Sequence, residues 1–139
     1  MISVRNGTKK DEQTLLNKYP DLHKFFVGDG RLVVAESGQE IVGFLWAHRR
    51  KIPAPVDAEE MFINAIEVFD SKLRCQGIGT QMVQKIIETA KAEQVYQVRA
   101  SVQIENVASH RLWRKNKFSI SPVQMPDGNI AGSFVAYVL

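Results

Sequence analysis

The sequence predicts a mixed α/β (α+β) fold, with one central sheet and about four helices in a single domain spanning residues 1–139. Two observations carry this expectation. Short apolar runs of strand length alternate with longer amphipathic stretches whose apolar residues recur every three or four positions. The connections are brief and rich in Gly, Pro, Asn and Asp, and no repeat, low-complexity tract or linker interrupts them. At 139 residues the chain can build one sizeable core but not two.

Ile2-Ser3-Val4-Arg5 reads as the first strand, stopped by Asn6-Gly7. Thr8 is placed to cap a helix running to about residue 19, with Leu15 and Leu16 on its inner side. Pro20-Asp21 ends it, and residues 22–27 read as a second short helix. Residues 31–36 and 41–47, joined by Ser37-Gly38-Gln39-Glu40, form a β-hairpin, and Pro53 and Pro55 mark the loop after it. Residues 61–69 are apolar nearly throughout, the pattern of a central strand. The helix over 77–92 carries Ile78, Met82, Ile86 and Ala90 at four-residue steps with Val83 and Ile87 beside them, one wide buried stripe. A strand over 95–103, a helix over 107–115 and a strand over 118–123 follow. Pro126-Asp127-Gly128-Asn129 then turns the chain into a last strand over 134–138.

Net charge is +3, an excess that suits an anionic ligand but lacks the long basic run of a dedicated nucleic-acid binder. The single cysteine, Cys75, excludes an internal disulfide framework and fits a reducing compartment. No stretch approaches the roughly 18 apolar residues of a membrane span, and the N-terminus lacks an export signal's apolar run. The expectation is a soluble, cytoplasmic protein with no membrane partner.

The segment between the central strand and the long helix is the most informative. Two glycines one residue apart, Gly77 and Gly79, let the backbone turn sharply and free several amides to point at one spot. The helix N-terminus adds unpaired N–H groups and the positive end of its dipole, so the turn is a phosphate cradle. A dinucleotide fingerprint requires a third glycine where Met82 stands, and no Gly-Lys-Ser/Thr closes a P-loop.

Arg74, Gly77 and Gly79 instead spell Arg-x-x-Gly-x-Gly. Downstream, Asn106, Leu112, Lys115 and Phe118, with the small Ser109, fit Asn-x-x-Ala-x-x-Leu-Tyr-x-Lys-x-Gly-Phe. From about residue 63 to residue 118 the chain thus resembles the GCN5-related N-acetyltransferase (GNAT) family. The resemblance implies a sheet splayed between its fourth and fifth strands, acetyl-CoA as cosubstrate with no metal, and direct acetyl transfer to a primary amine of a small molecule or protein. It implies that Arg74, Cys75, Gln76, Gly77, Ile78, Gly79 and Thr80 hold the pyrophosphate, largely through backbone amides. By the same resemblance the main chain of Val68 and Phe69 pairs with the pantetheine arm and places an N–H near the thioester oxygen. Asn106 contacts the arm from the far side of the splay while also serving as a helix N-cap, and Trp113 is a packing residue that also lines the arm.

The departures from the family pattern bear on catalysis. Trp113 stands where the family's tyrosine protonates the departing thiolate, and an indole N–H is too weak an acid for that task. Ser101 replaces a glutamate of the peptide-acetylating branches, and Lys117 replaces the glycine that normally eases the helix end. Glu67, the one carboxylate inside the strand beside the glycine turn, is the candidate general base. Its period-2 neighbours Ala65 and Phe69 suggest partial burial, which raises a carboxyl pKa; otherwise it faces solvent or pairs with Arg99 or Arg49. Glu59 and Glu60 are placed either to recognise a cationic amine or to lie in a solvated loop, and Tyr137 is an outside candidate for the acid.

Cys75 has no partner motif for a nucleophilic role, and His23, His48 and His110 lack metal-ligand spacing, so no metal is implied. His48-Arg49-Arg50-Lys51 reads as a solvated strand end or, with Arg111, Arg114, Lys115 and Lys117, as a basic surface for the CoA 3′-phosphate or for RNA. Two alternatives to a small-amine or protein acetyltransferase therefore stand: a catalytically impaired acetyl-CoA sensor or scaffold, and a tRNA-directed acetyltransferase toxin. A homodimer is left open.

Overall fold

The structure, a computed structural model, describes residues 1–74 and 76–139. Its elements run β1 (Ile2–Asn6), α1 (Lys9–Lys18), a 3₁₀ turn (Pro20–Lys24), β2 (Gly30–Ser37), β3 (Glu40–Ile52) and β4 (Ala58–Val68). A second 3₁₀ turn (Ser71–Leu73), α2 (Ile78–Ala92), β5 (Gln97–Gln103), α3 (Val107–Lys115), β6 (Ser119–Gln124) and β7 (Ile130–Val138) complete the order. The strands form one sheet, β1-β2-β3-β4-β5-β7-β6, antiparallel except between β4 and β5. This is the mixed sheet expected from the sequence.

Thr8 starts α1 through a capping box: its hydroxyl accepts from Asp11 N–H at 3.2 Å, and Asp11 Oδ2 accepts from Thr8 N–H at 2.7 Å. The second expected helix is only a 3₁₀ turn over Pro20–Lys24. The chain leaves the helical path there so that Phe26 can stack on Trp46, ring centroids 4.4 Å apart. Apolar residues divide between the two faces of the sheet. Under α2, the predicted stripe Ile78, Met82, Val83, Ile86, Ile87 and Ala90 is buried against Val33, Leu45, Met61 and Val98. On the other face α1 and the 3₁₀ turn cover Val34, Phe44 and Trp46. Truncating a fully buried residue such as Met82 to Ala costs about 2–5 kcal/mol.

The feature that positions the site is the parting of β4 from β5. They pair in register from Glu60↔Gln97 to Ile63↔Ala100 and no further, although β4 runs on to Val68 and β5 to Gln103. At the same point Trp46 opposes Ala65 while Ala47 opposes Ile63, so Asn64 is an extra residue bulged out of the β3–β4 ladder. A bulge bends its strand and sharpens its twist, which carries β4 away from β5.

At the opposite end of β4, charge holds the elements together. Arg31 donates to Glu93 at 2.7 and 2.8 Å, Glu93 also accepts from Arg49 at 3.3 Å, and Arg49 pairs with Glu59. This chain of ion pairs ties the carboxyl end of α2 to β2, β3 and β4.

α3 ends without the glycine its sequence position favours, yet by the geometry that glycine normally serves. Phe118 N–H donates to Trp113 C=O and Lys117 N–H to Arg114 C=O, both at 3.0 Å, with Lys117 itself left-handed at φ +65°. The Trp113–Phe118 ring contact, 4.9 Å between centroids, is the apolar seal of that end.

Candidate functional site

After β4 the chain makes its second 3₁₀ turn, capped by Asp70 Oδ1 accepting from Lys72 N–H at 2.9 Å. Gln76 Nε2 reaches back to Lys72 C=O at 2.9 Å. Arg74 is exposed and spends its Nε–H on the Val68 carbonyl at 3.2 Å. Cys75 lies outside the described residues. Gly77 then sits left-handed at φ +81°, with nothing within 4 Å of where a Cβ would stand, so backbone conformation and not space demands glycine there.

α2 begins with no side-chain cap. The first helical bond is Gln81 N–H to Gly77 C=O at 3.0 Å, and among the described residues nothing accepts from the amides of Ile78, Gly79 and Thr80. These free donors at the positive end of a 15-residue helix are an anion site. α3 approaches closely: a Cβ on Gly79 would lie 3.4 Å from Leu112 Cδ1, and Asn116 Nδ2 bonds Leu112 C=O at 2.9 Å and Thr80 Oγ1 at 3.4 Å. Arg111, Arg114 and Lys115 are exposed on those same turns of α3.

The main chain of β4 leads from this cradle into the splay. Phe69 N–H donates to Val42 C=O at 2.9 Å, so its amide belongs to the sheet and cannot pair with a ligand arm. Its ring lies on the far face, stacked on Tyr19 at 4.3 Å. Antiparallel ladders alternate, so Glu67 and Ala65 also turn their main chains toward β3, while Ile66 and Val68 turn theirs toward the open side. Of the pair expected from the sequence, the Phe69 amide is taken by the sheet, while Val68 keeps its main chain on the open side with its carbonyl accepting from Arg74.

Between the parted strands lies a cleft of about 140 Å³. Its apolar wall includes Ile63, Ile66 and Trp113, and Asn64, Ser101, Asn106 and Ser109 bring polar groups to it. Asn106 is both N-cap and lining residue, since its Oδ1 accepts from Ser109 N–H at 3.1 Å. His110 anchors that end of α3 to β7, with Nδ1 2.8 Å from Asn106 C=O and Nε2 3.1 Å from Ser133 Oγ. Asn64 Oδ1 meets His48 Nδ1. Sequence reasoning missed Asn64, though a lone amide in an otherwise apolar strand was the available signal.

Several other expectations change. Glu67 is exposed, not half-buried, because the aromatic pair beside it fills the covered part of that face and leaves the carboxylate at the rim. Glu60 lies in β4 and is 2% exposed, with Arg99 bonded to both its oxygens and Gln97 Nε2 on Oε1 at 2.8 Å. Burial works to raise its carboxyl, but those hydrogen bonds and the Arg99 and Arg50 charges prevail and hold it below the ordinary range. Neither Glu59 nor Glu60 is free to take a cationic amine. Tyr137 pairs in register with Val98, in the closed part of the sheet, and is not at the cleft.

The basic cluster on β3 is largely neutralised, Arg49 by Glu59 and Glu93 and Lys51 by Asp57 at 3.4 Å. Arg49 also sits at the carboxyl end of α2, about 22 Å along the helix from the cradle, so it cannot share a phosphate with it. A larger depression of about 1110 Å³ lies between α1 and the β2–β3 turn, but its Arg5, Asp11 and Glu36 are bonded to one another. Among the described residues no three His, Cys, Asp or Glu side chains gather to hold a metal, and no helix is long and apolar enough to cross a membrane.

Comparison with known proteins adds to this geometry. The profile of the Acetyltransferase (GNAT) family matches residues 4–118. Over 98 residues the chain is 36% identical to the L-2,4-diaminobutyric acid acetyltransferase of Shouchella clausii, covering 70% of this chain and 51% of that protein. The chain thus spans about half the length of the curated relative it matches. Among solved structures, a GNAT family acetyltransferase from Elizabethkingia anophelis with acetyl-CoA bound superposes with a TM-score of 0.71 at 20% identity, over 99% of this chain and 98% of that one. A GNAT acetyltransferase from Streptococcus pneumoniae gives 0.75 at 14% identity, with both chains covered in full. At these identities the likeness speaks to the fold.

Proposed function

This chain belongs to the GNAT acetyltransferase family, and from that premise we propose that it transfers acetyl from acetyl-CoA to the primary amine of a small molecule that also carries a carboxylate. The observation that supports the cosubstrate is the continuity of three features. Unpartnered amides of Ile78, Gly79 and Thr80 suit a pyrophosphate, the open-side main chain of Ile66 and Val68 suits a pantetheine arm, and the cleft beyond suits a thioester. Arg74, beside the Val68 carbonyl, and the exposed Arg111 and Lys115 supply positive charge near the cradle. Bound there, acetyl-CoA supplies an activated acyl group. The chain's own work is to orient it and exclude water, and orientation alone contributes on the order of 7–11 kcal/mol. In this reading Glu67, exposed at the rim one residue from Ile66, takes the ammonium proton through water.

The acceptor reading rests on the face of the sheet opposite α2. Arg50 lies over the Phe62 ring at 4.3 Å, and Arg99 lies 5.1 Å from both Phe62 and Phe134. Glu60 is gripped by Arg99, which leaves Arg50 without an ion pair among the described residues. One carboxylate against two guanidiniums makes a net positive, aromatic-floored surface. Phe62 precedes Asn64 by two residues, so the surface lies about 6–7 Å from the cleft. That span suits an amine in the cleft with a carboxylate on Arg50, and the Shouchella relative is named for an acceptor bearing both groups.

A thiol-release assay tests this. Diamino acids are expected to be acetylated, and the matching diamines without the carboxylate to react at least tenfold more slowly. Equal rates for the two would remove the carboxylate, and no release with any amine would remove the reaction.

A further inference from the structure

Trp113 is 2% exposed, yet among the described residues no group accepts from its indole Nε1–H. It is the one buried side-chain polar atom among them left without a partner. Native structures satisfy nearly all such groups, and an exception calls for a cause. Loose placement is not that cause. The residue's carbonyl accepts from Phe118 N–H at 3.0 Å, its ring packs on Phe118 at 4.9 Å, and the helix bearing it is fixed at its start by Asn106. The chain's other indole shows the ordinary solution, with Trp46 Nε1–H donating to Val27 C=O at 3.0 Å. What distinguishes Trp113 is that it lines the cleft between the parted strands.

We propose that Trp113 Nε1–H is a ligand-directed donor that bonds the acyl thioester in the cleft and, as the C–S bond breaks, the sulfur that takes up its electron pair. The inference rests on the acetyl-CoA reading above. An indole N–H donates but does not give up its proton, so it stabilises the developing charge without proton transfer. None is required: free thiols titrate near pH ~8.5, and a thiolate departs unprotonated near neutrality. The amine nitrogen gains the bond to the acetyl carbon, the sulfur keeps the C–S pair, and the ammonium proton passes to water. An acid that titrates at alkaline pH is absent from this scheme, so the rate rises with amine deprotonation and has no descending limb from Trp113.

The two tryptophans make the test direct. In ¹⁵N-labelled protein the two indole N–H signals are assigned with Trp113→Phe, and the wild type is titrated with CoA and then with acetyl-CoA. The Trp113 signal is expected to move downfield in step with the Ile78, Gly79 and Thr80 amides, while the Trp46 signal stays. If the amides move and the Trp113 indole does not, this inference is wrong and the cosubstrate reading survives. If the amides do not move either, both are wrong. In kinetics, a folded Trp113→Phe variant is expected to lose about ten- to hundredfold in kcat with a smaller change in acetyl-CoA affinity. An unchanged kcat overturns the proposal.

Discussion

The Arg99 guanidinium grips the Glu60 carboxylate at two points, Nε to Oε1 at 2.8 Å and Nη2 to Oε2 at 2.9 Å. The grip closes β4 onto β5 over the few residues before they part, and so sets where the cleft begins. Removing only Arg99 strands a buried carboxylate. Arg99→Met is expected to destabilise the fold by about 3–5 kcal/mol, and the double variant Glu60→Leu with Arg99→Met by less. Urea unfolding midpoints measure both. A single variant as stable as wild type would show that the pair holds nothing.

Acid sensitivity follows from four depressed carboxyls, Asp11, Asp29, Glu60 and Glu93, of which Asp11 and Glu60 show the two ways it arises. The Arg5 hydrogen bond, opposed by burial and aided by Thr8, holds Asp11 at about 2 against an ordinary 3.8. Glu60 is also held below its ordinary 4.5. In both cases the unfolded chain binds protons more readily than the folded one, so stability rises with pH. The contribution is complete above about pH 5 and drains away as pH falls toward about 2. Melting temperature should be flat from about pH 7 to about pH 5 and fall below that. Arg5→Gln should make the fall shallower; an unchanged slope counts against the Asp11 assignment.

Gly77 and Lys117 occupy the same left-handed region with opposite consequences. Gly77→Ala is expected to cost about 1–2 kcal/mol of stability and to weaken acetyl-CoA binding, whereas Lys117→Gly should gain up to about 1 kcal/mol. Gly79→Ala meets Leu112 Cδ1 at an ordinary 3.4 Å and should leave stability within about 0.5 kcal/mol. Calorimetry orders the three, and a stabilising Gly77→Ala would contradict the turn as described.

Asn106 can be split into its two roles. Asn106→Ala removes the cap and should cost about 1 kcal/mol. Asn106→Asp keeps an oxygen for the Ser109 amide and loses only the NH₂ donors. If the side chain also contacts the cosubstrate arm, the Asp variant melts like wild type yet binds acetyl-CoA several-fold more weakly. Wild-type affinity in Asn106→Asp would reduce the residue to a cap.

Arg50 is expected to act on the acceptor alone. Arg50→Gln should raise KM for a carboxylate-bearing amine about tenfold or more, leaving the matching diamine and acetyl-CoA unaffected. Added salt should mimic the substitution, because an exposed guanidinium is screened. A loss shared equally by both amines would point to folding instead.

What the sequence made legible were features that act within a few residues. The α2 stripe was readable because a 3.6-residue period writes burial along one helix, and Gly77 and Asn106 because each performs a local task that few residue types can. The surroundings of Phe69, Glu60 and Arg49 were not legible for one shared reason: their partners lie on other elements of the fold. Which way the Phe69 amide points depends on the β3 register, Glu60 is buried only because Arg99 lies across from it, and Arg49 is neutralised by a glutamate 44 positions on. Asn64 shows the same limit, since a bulge exists only relative to the strand it slips against.

That bulge leaves the sheet one ladder short. If acetyl-CoA binds with its arm along Ile66 and Val68 as proposed, a small metabolite supplies the missing edge and the fold is finished by something the gene does not encode. Saturation at a hundred times Kd adds about 2.7 kcal/mol to the folded state. Because proteases cut the opened chain, the lifetime of this protein in a cell should lengthen when acetyl-CoA is plentiful and shorten when it is scarce. Its abundance would then follow the supply of its own donor without any dedicated regulator.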